Sequence, residues 1–596
     1  MKKKQVSIFA CVVLAAFAAL AGRTQPLASP RADLQSDLNG FWDFRFEDGK
    51  SIEEVADPAF AATDRMSVPG CFDTMPKWLC KRGTALYRRT FTLERAVPNA
   101  WLVVDGMGLR GDFRIDGRPL GVRPFPYARL ELETGPLEAG EHVLFAALDN
   151  RFDFATMKLA RPYYDFYCHG GFYHGVLLSF DNRKLFVRTR DFRTGTVEIE
   201  AVHFAERDFA ATLRFDGRNE VASEFRGGRA TVRVPDFRLW SPEDPNLHTV
   251  SVVHDSSFAT RHSSLRTDVS VRFGIRQIEA RDRRIWLNGE PIYLKGFNRH
   301  ESHPTFGAAT PESLMVLDLQ NLKALGGNFV RGCHYQQSQR FLDLCDETGV
   351  LVWEESLGWG NGRHTAYGSE FDDGDFVAQQ IEQTREMVLA SFNHPSVVIF
   401  AFMNEFASDT ERGKAVADRL IDTIRAEDSG RLVTYACCQN AGDIANANTD
   451  IVAFNTYPGW IGTDAGTTEH LKEIVRETVD RVVGRFRSLY PDKPIMVSEM
   501  GTCGVYGQHD PAAAQWTEEF QAEYDADVIE AAFAHPDICG FTLWQFADAR
   551  SYHRDGATIR TKPFAQNLAG VFDGFRRPKL AAAAVRERFT NFHFCH

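Results

Sequence analysis

The chain has 596 residues, enough for three or four domains. Its 44 % hydrophobic and 25 % charged residues are the balance of a globular protein and exclude a disordered or fibrous chain. The formal net charge of −12 argues against a nucleic-acid partner, which needs clustered Lys and Arg for phosphates.

Lys2, Lys3 and Lys4 precede an apolar run from Val6 to Leu20, closed by Ala19-Leu20-Ala21. This pattern predicts a signal peptide over residues 1–21, too short to span a bilayer comfortably, and a periplasmic or secreted mature chain without membrane insertion. Of the eleven cysteines, Cys11 falls in that leader. Cys71 and Cys80 are close enough in sequence to pair, but scattered buried thiols are the default reading. No Cys or His spacing suggests a metal site, and no cofactor motif stands out.

From 32 to 182, short apolar runs such as Trp101–Val104 and His142–Ala147 lie between turn signals. They predict a β-sandwich of the jelly-roll kind. A second β segment over 183–275 alternates in Thr196–Val202 and Ala230–Val234, which suits an immunoglobulin-like sandwich. From 276 to 596, strand-like runs alternate with helical ones. The strands are Tyr293–Gly296, Asn328–Arg331, Leu351–Glu354, Val397–Phe402, Leu432–Ala436, Ile451–Asn455, Ile495–Ser498 and Gly540–Trp544. The helices include Glu312–Leu325, Ser338–Glu347, Phe376–Phe392, Arg412–Glu427, Thr468–Tyr490, Ala512–Phe533 and Lys579–Phe589. Eight such units predict a (β/α)8 TIM barrel; a doubly wound open sheet is the alternative, but no Gly-x-Gly-x-x-Gly opens a helix.

A barrel of this kind carries its active site at the carboxyl ends of its strands. The fourth strand ends in Asn404-Glu405 and the seventh in Glu499. A lone Glu after an apolar strand is usually a loop residue or a helix cap. Two at matched strand ends can face each other across the pocket, as glycosidic cleavage requires: one protonates the leaving oxygen, and the other attacks the anomeric carbon.

The chain resembles glycoside hydrolase family 2, which includes β-galactosidases, β-glucuronidases and β-mannosidases. Its motifs run in order through Leu38-Asn-Gly-Phe-Trp-Asp-Phe44, Gly170-Gly-Phe-Tyr-His-Gly175, Leu239-Trp-Ser-Pro-Glu-Asp-Pro245, Gly274-Ile-Arg276 and Leu287-Asn-Gly289. They continue with Lys295-Gly-Phe-Asn-Arg-His-Glu301, Asn393-His-Pro-Ser396, Trp544-Gln-Phe-Ala-Asp548 and Arg577-Pro-Lys579. The resemblance implies a retaining exo-β-glycosidase with a carbohydrate substrate, Glu405 as acid/base and Glu499 as nucleophile. An acid of this kind needs its proton held on, and a nucleophile needs a stabilised anion. The resemblance also gives Asn404 the sugar 2-hydroxyl and makes Tyr457, of Asn455-Thr-Tyr457, a donor to Glu499. It has Arg331 keep Glu499 ionised, and places Asn455, His300, His334 and Trp544 at the pocket wall. Asp165 would reach in from the first domain.

The three-domain plan looks closest to β-glucuronidase, yet the Asn-x-Lys pair that grips a uronate in that group is here Asn567-Leu-Ala569. The Asn is kept and the ammonium is replaced by a methyl group. A neutral sugar, β-galactoside first, is therefore the expected substrate. A uronidase with Lys562 or Arg560 as a relocated cation is the alternative, and a carbohydrate-binding protein with an inactive barrel is the remote one. A homo-oligomer is left open.

Overall fold

A computed structural model describes residues 35–124, 126–158, 166–253, 268–363, 369–439, 442–461, 470–552 and 561–592. The leader, with Cys11, and the residues Asp165 and Arg560 lie outside them.

Two sheets form the first sandwich. One has four strands in the order Gln35–Asp37, Val176–Ser179, Val97–Asp105 and Arg129–Leu137. The other has six: Asp64–Val68, Gly40–Asp48, Gly83–Leu93, Gly140–Asp149, Arg110–Ile115 and Arg118–Arg123. Alternation explains the packing: in Arg129–Leu137 the residues Leu130, Leu132, Thr134 and Leu137 are buried, and most of those between face outward. Trp42, Phe44, Tyr87 and Phe172 meet edge-on or tilted in the resulting core. The second sandwich pairs three strands (Lys184–Asp191, Thr196–Val202, Arg229–Arg233) with four (Asn219–Phe225, Phe209–Phe215, His248–Val253, Val269–Phe273) over a separate core.

The barrel strands are β1 (Leu294–Arg299), β2 (Phe329–Gly332), β3 (Leu351–Trp359), β4 (Val397–Asn404), β5 (Leu432–Thr434, continued by Ala436–Cys437), β6 (Val452–Asn455), β7 (Ile495–Met500) and β8 (Ile538–Leu543). Each pairs in parallel with its neighbours, and β1 pairs with β8, so the sheet closes through the two pieces of β5. Among the described residues, seven helices surround it: α1 (Glu312–Ala324), α2 (Gln339–Thr348), α3 (Gly374–Ala390), α4 (Glu411–Glu427), α5 (Leu471–Leu489), α6 (Glu518–Ala534) and α7 (Leu580–Asn591). The order of strands and helices is the one expected from the alternating runs. Most ends shift by three residues or fewer, the expected helix start at Thr468 lies outside the described residues, and two elements differ by more. The run expected to begin a helix at Ala512 becomes helical only at Glu518, because Trp516 takes a left-handed backbone (φ 77°) and Thr517 caps the helix by accepting from Phe520 N–H at 3.2 Å. The third strand runs on to Trp359, buried throughout, and so carries Glu355 into the barrel top.

Several of the short motifs prove to be staples between domains. Trp240 Nε1 donates to the Asp346 carbonyl at 2.8 Å. Arg276 donates to the carbonyls of Pro395, Val397 and Gly430 at the foot of β4. The Asn393 amide bridges to the backbone of Leu185 and Val187. On the opposite face, Tyr127 stacks on Tyr335 with centroids 3.7 Å apart, and His174 meets Glu301 at 2.9 Å. Cys71 and Cys80 are both free thiols. Among the described residues, no helix is long and apolar enough to cross a membrane.

A buried ion triad closes the barrel seam. Asp318 of α1 accepts from Arg299 at the end of β1 (3.1 Å) and from Arg576 after β8 (2.8 and 3.1 Å). Burial would raise its pKa, but the two guanidinium groups outweigh burial and hold it below the usual carboxylate range. Its contribution is therefore fully present above the unfolded value of about 4 and is lost as the pH falls through the lower folded value. Asp318→Asn leaves two buried cations short of an anion and is expected to cost about 3–5 kcal/mol, read as a lower midpoint in urea unfolding at pH 7. An unchanged midpoint would refute this role.

Candidate active site

The strand tops converge on one buried network. Glu499, at the end of β7, is 3 % exposed and holds two donors, Arg331 Nη1 to Oε1 and Tyr457 Oη to Oε2, each at 2.5 Å. The chain can deliver Glu499 there because Gly501 follows. A Cβ at that position would stand 1.9 Å from the Trp544 carbonyl, so only glycine lets β7 and the end of β8 approach this closely. Glu405 follows β4 directly and is half-buried. Its Oε1 accepts from Asn455 Nδ2 at 2.8 Å, and Asn455 Oδ1 in turn accepts from Ser498 Oγ at 2.7 Å. Met403 and Glu405 both have positive φ, 36° and 52°. Non-glycine residues adopt that region at a cost, and such strain concentrates at functional sites.

Asn404 lies between the two carboxylates. Its Oδ1 accepts from Arg331 Nη2 (2.9 Å) and Asn455 Nδ2 (3.3 Å), which turns Nδ2 the other way, where it is buried without a partner. His334 stacks on Trp544 at 5.6 Å and 13°, and His300 packs edge-on to both rings. Burial, followed by His334, Arg331 and Lys562, holds the pKa of His300 well below the usual imidazole range. Tyr335 Oη accepts from Glu301 N–H at 3.0 Å, so its proton is available to His300 Nδ1 at 3.3 Å. The neutral ring then carries its own proton on Nε2, a buried atom without a partner. Orphaned buried donors of this kind call for an acceptor, and sugar hydroxyls are suitable ones.

On the side of β8, Asn567 is 1 % exposed. In the amide orientation that satisfies its neighbours, its Oδ1 accepts from Trp544 Nε1 at 3.0 Å and Lys562 Nζ at 3.1 Å. Lys562 is 4 % exposed and lies over the Trp460 ring at 5.4 Å. Ala569 is fully buried in the same wall, among Cys333, Cys503, Trp460 and Trp544.

The structure thus brings together Glu405, Glu499, His300, Arg331, His334, Asn404, Asn455, Tyr457, Trp544 and Asn567. Asp165 lies outside the described residues, but its neighbour Phe166 packs against His300 (5.3 Å) and His334 (5.8 Å) from the first sandwich. Three residues of the site escaped the sequence reading: Phe166 and Trp460 at its wall, and Glu355 behind Arg331 and His334. Only Glu355 left a signal, as one of two successive glutamates in an otherwise apolar strand. His300, Cys333 and His334 bring three ligand atoms within 4.8 Å of one another, with His334 Nδ1 engaged by Glu355 and the Cys333 thiol pushed well up by burial. Asp343, Asp346 and His394 are equally close and are taken up by Arg272, by Ser396 and by the bond between His394 and Asp346.

Residues 278–594 match the family model described as glycosyl hydrolases family 2, TIM barrel domain. Pig (Sus scrofa) β-glucuronidase is 27 % identical over 438 residues, which are 72 % of this chain and 65 % of that protein, so the match spans somewhat under two thirds of the relative. A solved family 2 β-galacturonidase from Eisenbergiella tayi superposes with a TM-score of 0.80 at 28 % identity, covering 94 % of this chain and 97 % of that one. A Ruminococcus gnavus β-glucuronidase reaches 0.84 at 22 % identity, covering 94 % and 99 %, a likeness of fold.

Proposed function

The chain belongs to glycosyl hydrolase family 2, and from that membership and its barrel-top geometry we propose that it is a retaining exo-β-uronidase, releasing a terminal β-linked glucuronic or galacturonic acid. Lys562 beside Asn567 is the observation that carries the choice of sugar. The expectation of a neutral sugar rested on the methyl group of Ala569, and it is reversed here. The cation absent at 569 enters the same wall from Lys562, five residues before Asn567. The Lys562 ammonium stands 3.1 Å from Asn567 Oδ1 and brings a positive charge to that wall. A C6 carboxylate placed beside this ammonium gains a charge-assisted interaction, which offsets the dehydration it suffers in the pocket. The relatives described as β-glucuronidase and β-galacturonidase support the same reading. Arg560, the other cation considered, lies outside the described residues.

In this reading Glu405 protonates the glycosidic oxygen while Glu499 attacks the anomeric carbon, and the aglycone leaves. Water, deprotonated by Glu405, then attacks the glycosyl ester and restores both carboxyls. Asn404 Nδ2 donates to the 2-hydroxyl, and His300 Nε2 and the Trp544 face hold the ring. Export through the leader at residues 1–21 belongs to the proposal as well, and N-terminal sequencing of the mature chain tests it.

Nitrophenyl β-glucuronide and β-galacturonide, set against the β-glucoside and β-galactoside, test the substrate. A uronide is expected to have the highest kcat/KM. Lys562→Ala should lower it by about a hundredfold while changing the neutral sugars by less than about threefold, since only the uronate loses a charged partner. A neutral glycoside that outperforms both uronides in the wild type would overturn the assignment.

A further inference from the structure

Arg331 has five N–H groups, and the structure accounts for all of them. Nε and one Nη2 proton go to Glu355, with contacts of 2.9–3.1 Å to its two oxygens. The other Nη2 proton goes to Asn404 Oδ1 at 2.9 Å. The Nη1 protons go to Asn298 Oδ1 at 2.9 Å and to Glu499 Oε1. Asn298 cannot turn its amide, because its Nδ2 is committed to the carbonyls of Ser498 and Leu543 at 2.8 and 3.2 Å.

His334 Nδ1 lies 3.2 Å from both Arg331 Nη2 and Glu355 Oε1. Arg331 has no proton left for it, so Nδ1 donates to Glu355. With Nδ1 as the donor, the tautomer this sets leaves Nε2 as the acceptor. Glu355 is completed by Trp353 Nε1 at 2.9 Å, and the Trp353 ring underlies the guanidinium at 5.0 Å. Glu355 is wholly buried, and its oxygens are taken by Arg331, His334 and Trp353.

Building on the glycosidase reading, we infer that Glu355 is a positioning residue for the reaction, through two other side chains. It clamps the plane of Arg331 so that one edge serves Asn404 and Glu499 together, and it sets the His334 tautomer so that this ring accepts a hydrogen bond from a sugar hydroxyl. It has an electrostatic part as well. Arg331 carries one positive charge between two carboxylates, and the share neutralised by Glu355 is not spent on the nucleophile. Buried beneath Arg331 and His334, Glu355 is held ionised, its pKa below the usual range despite the burial. Glu499 is faced by Arg331 from β2, by Tyr457 after β6, by Glu405 across the pocket, and by the thiols of Cys333 and Cys438, both kept protonated by burial.

Glu355→Gln tests this on the full chain. The amide keeps the volume but offers one accepting oxygen where four donors converge. Its kcat on an activated nitrophenyl glycoside of the preferred sugar is expected to fall about a hundredfold, the scale of losing one preorganised electrostatic partner, with KM within about threefold. The acid limb of kcat/KM should move to lower pH, because Arg331, no longer shared, favours the ionised nucleophile more strongly. A loosened pocket would instead raise KM and leave the limb in place, and that result overturns the inference. Should the variant fail to fold, Trp353→Phe removes one donor to Glu355 and keeps a ring under Arg331. A several-fold loss in kcat at constant KM supports the role, and wild-type kcat refutes it. Wild-type protein inactive on every glycoside would overturn both this inference and the glycosidase reading, whereas an active wild type with an unperturbed Glu355→Gln would overturn this inference alone.

Discussion

Glu499→Gln is expected to lower kcat by at least about ten-thousandfold on any glycoside, including one with an activated leaving group. The loss is not expected to be recovered from the neighbouring carboxylates, since Glu405 serves as the acid/base and Glu355 is held by Arg331 and His334. The substitution is nearly isosteric, so the pocket keeps its shape. An amide has one accepting oxygen, however, and Arg331 and Tyr457 each need one, so one donor loses its partner. Unfolding should therefore show only a modest loss of stability beside the catalytic collapse. A 2-deoxy-2-fluoro glycosyl fluoride should label wild-type protein on the peptide containing Glu499 and leave the variant unlabelled. NMR of the wild-type reaction should show the β-anomer formed first, as double displacement requires. Residual turnover above about one per cent, or an α-anomer as first product, would contradict Glu499 as the nucleophile.

The two carboxylates were legible in the sequence because a parallel barrel places the residue after each strand at the same end of the molecule. Strand recognition was therefore enough to put Glu405 and Glu499 in one pocket. Asn404, Tyr457 and Arg331 came instead from the resemblance to family 2, and each ends or closely follows a strand. What could not be read was everything set by contacts across the barrel. Glu355 matters through the five protons of Arg331, and counting them requires knowing that Asn298, on another strand, has its amide locked. Lys562 was named as a candidate, but nothing local to it decides where its ammonium points. The path from 562 to 567 passes through Phe564 and Ala565, both with left-handed backbone (φ 58° and 55°) although neither is a glycine or an asparagine. Composition predicts no such turn. Motifs such as Leu239-Trp240 and Gly274-Ile-Arg276 were visible as a family signature, yet their work in joining the second sandwich to the barrel foot appears only when the carbonyls they bind are in view.

Glu405→Ala should separate substrates by their leaving groups. A dinitrophenyl aglycone departs as a stable anion without protonation, so its glycosylation step should slow by no more than about tenfold. An alkyl or sugar aglycone needs the proton and should lose about a thousandfold or more. The second half-reaction suffers for every substrate, because water is no longer deprotonated, and the glycosyl ester of Glu499 should accumulate. Azide needs no base. It can attack the anomeric carbon through the space the side chain leaves, expel the Glu499 carboxylate, and give a β-glycosyl azide. Turnover of the activated substrate should rise with azide concentration, and mass spectrometry should find the azide adduct. The surroundings of Glu405 make this test a clean one. Its Oε1 takes a donor from Asn455, which is also tied to Ser498 Oγ and Asn404 Oδ1, so Asn455 stays in place when the carboxylate is removed. Asn404 retains Arg331, so the proposed contact of its Nδ2 with the 2-hydroxyl is expected to survive. KM for the activated substrate should then fall with kcat, as trapped intermediate accumulates. Equal losses on good and poor leaving groups, with no response to azide, would show that Glu405 is not the acid/base.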